Sequence, residues 1–133
     1  MSDPDHRPSL QGRILVADDE PHIRRILTTF LEESGFVVDE AMDGAQAMEF
    51  LESPAEYDLA LLDIMMPQYT GLEVLAHAGR LQNRQGLPVV ILTAKGQDTD
   101  REAAFRMGAA DFMTKPFSPK KLLARIKELI GAP

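Results

Sequence analysis

Short apolar runs that each stop at a polar residue recur along this chain, and they constrain its fold more than any other feature. Ile14–Ala17 stops at Asp18 and Asp19, Leu59–Leu62 at Asp63, and Val89–Leu92 at Thr93. A weaker run starts at Val37 and Val38, and a weaker one still spans Ala110–Thr114. Runs this short and apolar on both sides suit strands buried in a parallel sheet. Helical periodicity fills the gaps between them. Ile23, Ile26, Leu27, Phe30 and Leu31 share one face, with Pro21 placed to start that helix and Gly35 to stop it. Ala45, Met48 and Leu51 form a second stripe, and Leu72, Leu75 and Ala76 a third after Gly71. Residues 99–107 form a weakly apolar helix whose buried face is Ala103, Ala104 and Met107, a composition that predicts mobility. Leu122, Leu123, Ile126, Leu129 and Ile130 form the last stripe, introduced by Ser118 as cap and Pro119 in the first turn.

The order is β-α repeated five times, which predicts an α/β fold: a doubly wound, flavodoxin-like, five-stranded parallel sheet with helices on both faces. The 133 residues fit one domain. Residues 13–130 are expected to form it, with residues 1–12 as a flexible lead-in and 131–133 as a short tail. A net charge of −7 repels phosphate backbones, so direct nucleic-acid binding is not expected. The absence of cysteine rules out disulfides and thiolate metal sites. No apolar run spans a bilayer, and residues 1–12 lack the apolar core of a signal peptide, so a cytoplasmic location is expected. His6, His22 and His77 are scattered without metal-ligand spacing and receive no catalytic role.

Asp18, Asp19, Asp63, Thr93 and Lys115 all fall where an apolar run ends, which in a parallel sheet is one edge. Ligands bind at that edge, near the point where strand order reverses. Taken as a pair, Asp18 and Asp19 fit helix capping as well as they fit a functional role. Asp63 lies inside an apolar stretch, where a carboxylate without a partner is costly. Two carboxylates about 4 Å apart repel by roughly 4 kcal/mol at an effective dielectric near 20. A divalent cation relieves that repulsion. All-oxygen ligands without His or Cys point to Mg²⁺, with Mn²⁺ or Ca²⁺ as alternatives. An acidic cluster, a hydroxyl and a lysine together suit phosphoryl transfer.

Four segments carry a more specific signal: ILVADDEP from Ile14, LLDIMMPQYTG from Leu61, VVILTAK from Val89 and DFMTKPFSP from Asp111. In order and spacing they resemble the response-regulator receiver family over residues 13–130. The resemblance implies that Asp63 accepts a phosphoryl group from a phosphohistidine on a sensor histidine kinase or histidine phosphotransfer protein. It implies Mg²⁺ on Asp19 and Asp63 directly, on Asp18 mainly through water, and on the backbone carbonyl of Met65. Lys115 would pair with the acidic cluster and then with the phosphoryl oxygens, Thr93 would hydrogen-bond the phosphoryl group, Phe112 would be the switch aromatic, and the Lys115–Pro116 bond would be cis. Partners would read the face made by the fourth helix, fifth strand and fifth helix. Such a chain catalyses only its own phosphorylation and dephosphorylation. Two charged hydrogen bonds contribute about 3–6 kcal/mol, against the roughly 5.5 kcal/mol that turns a 1:99 equilibrium into 99:1. Burying Phe112 would add about 1.5–3 kcal/mol, although Phe112 also reads as an ordinary core residue. Lys95 is a further rim position, equally readable as a solvated lysine.

The turn at Pro116–Pro119 and the helix after it are similar to receivers that dimerise ahead of winged-helix domains. Ala110 and Lys121 replace an Asp and a Glu of that pattern, and only Arg125 is kept, so the same phosphorylation-dependent dimer is in doubt. The resemblance leaves open whether the chain acts alone, through an output partner, or as a receiver excised from a longer protein. Two other classes compete. A Mg²⁺-dependent phosphatase with an aspartate nucleophile usually carries a second Asp where this chain has Met65. A flavodoxin-like FMN binder needs a hydroxyl- and glycine-rich loop where this chain has Asp18–Pro21.

Overall fold

The computed structural model describes residues 12–94 and 98–131, with only the backbone of Asp98. The lead-in at 1–11, Lys95 and residues 132–133 lie outside the described residues. The elements alternate from first to last. They are β1 (Gly12–Ala17), α1 (Pro21–Glu33), β2 (Phe36–Ala41), α2 (Gly44–Glu52), β3 (Leu59–Asp63), α3 (Gly71–Arg80), β4 (Val89–Thr93), α4 (Asp98–Arg106), β5 (Asp111–Thr114) and α5 (Pro119–Ile130), with a 3-10 turn at Gln82–Arg84 before β4. The sheet is parallel in the order β2-β1-β3-β4-β5. The chain moves from β1 out to β2, then returns past β1 to β3. Strand order therefore reverses between β1 and β3.

Side-chain alternation divides the core into two layers. Leu15, Ala17, Ala60, Leu62, Ile91 and Phe112 pack toward α2, α3 and α4, where they meet Leu51, Val74, Leu75 and Ala104. Ile14, Val16, Leu61, Val90 and Leu92 pack toward α1 and α5, where they meet Leu27, Leu31, Leu122 and Ile126. Because both faces are covered, the three central strands read as continuous apolar runs. The helix boundaries follow the local signals. Pro21 opens α1, and Gly35 follows it with φ of 99°. The Ser118 hydroxyl accepts from the Lys121 amide, and Gly131 closes α5 in the left-handed region. A capping box at Thr70 and Glu73 starts α3.

Two expectations about helix faces differ from the structure. Ile26, expected on the buried stripe of α1, is exposed, and Thr28 is buried in its place. Thr28 lies one position after Leu27 and three before Leu31, on the same side of the helix, and a pattern built on apolar residues passes over it. Met107 lies one residue past α4 and is exposed, which leaves Ala104 as the fully buried residue of that helix.

The carboxyl end of α2 has no basic residue of its own, and its carbonyls are satisfied by a distant arginine. The buried Arg84 guanidinium donates to the carbonyls of Leu51 (2.8 Å), Phe50 (3.3 Å) and Ser53 (2.9 Å) and stacks on the Tyr57 ring. Tyr57 in turn donates to Asp39 at 2.6 Å. Orphaned carbonyls at a helix end cost stability. We expect Arg84→Ala to lower the free energy of unfolding by about 2–3 kcal/mol, read from urea denaturation, with the sheet topology retained in the amide spectrum.

Candidate functional site

Strand register, not loop flexibility, brings the polar groups together. Ala17 pairs with Leu62, so Asp18, one step on, lies level with Asp63. Asp63 pairs with Leu92, which places Thr93 one step further along β4. Thr93 pairs with Thr114, and the Lys115 amide donates to the Thr93 carbonyl at 2.8 Å. Asp18, Asp63, Thr93 and Lys115, with Asp19 next to Asp18, thus reach the carboxyl edge of the sheet, around the reversal between β1 and β3.

The Lys115 ammonium lies between two carboxylates. It donates to Asp18 Oδ2 at 2.8 Å and to Asp63 Oδ2 at 3.1 Å, with Glu20 Oε1 at 3.8 Å. Asp18 and Asp63 are only 1% and 4% exposed, whereas Asp19 is exposed. Asp18 is also fixed locally. Its Oδ1 accepts the Glu20 amide at 2.9 Å, its own amide donates to the Ala41 carbonyl at 3.2 Å, and its carbonyl accepts from Arg24 at 2.7 Å. The N-cap of α1 is Glu20, which makes no side-chain capping bond. The Asp18 carboxylate is thus held toward Lys115 and does not cap the helix. Asp63 Oδ1 accepts the Met65 amide at 3.2 Å.

Two glycines let the surrounding loops close in. A Cβ at Gly71 would collide with the Asp63 carbonyl oxygen, and one at Gly44 with the Tyr69 carbonyl oxygen. Gly71 is therefore required for α3 to start directly against the end of β3. The role of these two glycines, and that of Arg24, is not legible in the sequence. A glycine that opens a helix and an arginine in a first turn are common, and the atoms they approach are far away along the chain or on the backbone.

The electrostatics follow from burial. Desolvation pushes the Asp63 carboxyl above the ordinary carboxylate range. Lys115 and the Met65 amide oppose the rise, and the Asp18 charge adds to it. Burial works against the Lys115 ammonium, yet the bonds to Asp18 and Asp63 outweigh it and hold the lysine charged. Ligand oxygens from Asp18, Asp19 and Asp63 all lie within 4.8 Å of one another. Three carboxylates thus lie close together, and the Lys115 ammonium bonds two of them. That excess of negative charge on hard oxygen donors fits a divalent cation such as Mg²⁺. The Lys115–Pro116 bond is cis. Phe112 is already 4% exposed, so moving it out of solvent cannot drive a change from this arrangement. Arg125 bonds Asp111 of its own chain at 2.8 Å.

Comparison with known proteins gives one consistent answer. Residues 14–127 match the response regulator receiver domain. The transcriptional regulatory protein ResD of Bacillus subtilis is 42% identical over 121 residues, covering 90% of this chain and 48% of ResD. SrrA of Staphylococcus aureus is 40% identical over 91% of this chain and 48% of SrrA. The chain therefore spans about half the length of these curated relatives. Among solved structures, the receiver domain of Francisella response regulator 1452 superposes with a TM-score of 0.81 at 35% identity, covering 91% of this chain and 98% of that one. The receiver domain of sensor histidine kinase PA1611 from Pseudomonas aeruginosa, solved with a magnesium ion in its active-site cleft, superposes with a TM-score of 0.83 at 28% identity over 90% of this chain and 98% of that one.

The raised Asp63 carboxyl has a consequence for stability. Its folded value lies above its unfolded one, so the folded state binds the proton more tightly. The stabilising contribution is full below the ordinary carboxylate range and is lost as pH rises through the folded value. With a chelator present, we expect Asp63→Asn to unfold at higher urea than the parent at pH 7. The gap should close as pH falls toward the ordinary carboxylate range. A variant less stable than the parent at pH 7 would contradict this account.

Proposed function

Because this chain belongs to the response regulator receiver family, we propose that it is a phosphoryl-accepting switch in which Asp63 takes its phosphoryl group from a phosphohistidine. The donor would be a sensor histidine kinase or a histidine phosphotransfer protein. One observation carries the reading: Lys115 bonds Asp18 and Asp63 together at the sheet edge, with Asp19 in reach of the same point. A lone buried carboxylate would not persist in such a place, and a structural ion pair would not need three acids.

The chemistry follows from these residues. An Asp63 carboxylate oxygen forms the new P–O bond as the P–N bond breaks, and the histidine nitrogen keeps the electron pair. Mg²⁺, held by Asp19, Asp63 and the Met65 carbonyl and by Asp18 mainly through water, would offset charge on the phosphoryl oxygens. Lys115 supplies a fixed positive charge to those oxygens, and the Thr93 hydroxyl supplies a hydrogen bond. Both residues follow from the register of β4 and β5, so a change at either one is felt along those strands. Phe112, two residues before Thr114, lies against α4: the Arg101 guanidinium donates to its carbonyl at 3.4 Å and sits 5.8 Å from its ring. The face of α4, β5 and α5 carries a groove of about 460 Å³ lined by Arg101, Met113, Phe117 and Lys121, among others. Partners would read that face.

The relatives named as transcriptional regulators lend support to an output in gene control, exerted through a partner or a further domain and not through direct nucleic-acid contact by these residues. Among the described residues no helix is long and apolar enough to cross a membrane, which agrees with a proposed cytoplasmic site of action. Because Arg125 is engaged by Asp111 of its own chain, any phosphorylation-dependent dimer would have to release that pair or form without it.

Incubation with phosphoramidate and Mg²⁺, followed by intact mass, tests the proposal. We expect one added phosphoryl group, absent in Asp63→Asn and in chelator. Lys115→Met should label at least tenfold more slowly. Multiple turnover of unrelated phosphate esters would favour an aspartate-nucleophile phosphatase instead.

A further inference from the structure

Arg24, in the first turn of α1, makes two bonds that join the acidic site to β2. Its NH1 group donates to the main-chain carbonyl of Asp18 at 2.7 Å, and its Nε donates to Glu40 Oε1 at 3.1 Å. The side chain is 12% exposed, so little water competes for it. The opposite side of the same residue is also held, because the Asp18 amide donates to the Ala41 carbonyl. The strand pairing of β1 ends at Ala17. Asp18 and Asp19 therefore lie beyond the ladder and depend on other bonds for their orientation.

The Asp18 carboxylate is secured by Lys115 and the Glu20 amide. Asp19 has no such support, being exposed at the turn into α1. The peptide between Asp18 and Asp19 determines where Asp19 points, and Arg24 grips the oxygen of that peptide. We propose that Arg24 is a positioning residue for the divalent cation: by anchoring the Asp18 carbonyl to the end of β2, it sets the direction in which Asp19 presents its carboxylate. The inference rests on the metal-dependent reading above and extends it to a residue that touches neither the cation nor the phosphoryl group.

A fixed guanidinium has two opposing effects on cation binding, and their signs differ. As a charge it repels Mg²⁺, so its removal would tighten binding. As an anchor it orders a ligand, and loss of a bond that orients a metal ligand weakens binding by about 10–100-fold. The measured sign therefore separates the two roles.

The test is calorimetric titration of the full chain with Mg²⁺ alone. Arg24→Gln should bind about tenfold more weakly, despite losing a positive charge. Arg24→Lys keeps the charge but offers one ammonium in place of the fork, and should fall between Gln and the parent. In phosphoramidate labelling, the Mg²⁺ concentration for half-maximal rate should rise in both variants while the rate at saturating Mg²⁺ stays near that of the parent. A merely destabilised fold would lower the plateau instead. Unchanged or tighter binding in Arg24→Gln overturns the proposal, as does parental affinity in Arg24→Lys, which would show that the two-point guanidinium anchor is not needed. If the parent chain shows no saturable binding of Mg²⁺, the reading of the site falls together with this inference. Parental binding with an indifferent Arg24 removes the inference alone.

Discussion

The ammonium of Lys115, shared between Asp18 and Asp63, is the interaction on which the site depends. It ties the ends of β1, β3 and β5 together through side chains, across β4, at the carboxyl edge of the sheet. Two buried carboxylates without a cation would be prohibitive, and a single buried lysine equally so. Each is tolerated because the others are present. The arrangement is unbalanced, however, since Asp19 adds a third carboxylate. That imbalance suits the edge to a further cation.

Around this pair the backbone is held by contacts that leave little slack. Arg24 and the Ala41 carbonyl grip the Asp18 peptide from both sides. Gly71 lets α3 begin in contact with the Asp63 carbonyl, where any larger residue would push the loop away. The groups proposed to do the chemistry are therefore mounted on strand ends, and short-range packing holds those ends in place. Such preorganisation is what a phosphoryl-transfer site requires, because positioning and electrostatics supply nearly all of its effect.

On the proposed output face, two side chains constrain how a switch could work. A switch that worked by burying Phe112 would gain little here, since the ring is out of solvent already. What a rearrangement of Thr93 and Lys115 could change there is the contact of Phe112 with Arg101 and the shape of the neighbouring groove. Arg125, which a dimer of the winged-helix type would use across the interface, is engaged with Asp111 within the chain. The proposed output would then work through a change in shape and charge on α4, β5 and α5.

Most of the architecture was legible because it follows from local rules. Runs apolar on both sides, such as Leu59–Leu62, mark strands covered on both faces, and Pro21, Gly35, Ser118 and Pro119 punctuate helices by their own stereochemistry. The polar residues that end those runs had to share an edge once the strands were parallel, which is why Asp18, Asp19, Asp63, Thr93 and Lys115 could be grouped from sequence alone. The sequence also determined the oxygen-only chemistry of the site, since it offers no cysteine and no clustered histidine. Only the tertiary structure decided which two carboxylates of the cluster Lys115 bridges, that Arg24 and Arg84 bond main-chain carbonyls, and that Gly71 abuts Asp63. Those contacts join residues distant in sequence or end on backbone atoms, and backbone atoms are the same at every position and leave no mark in the order of side chains.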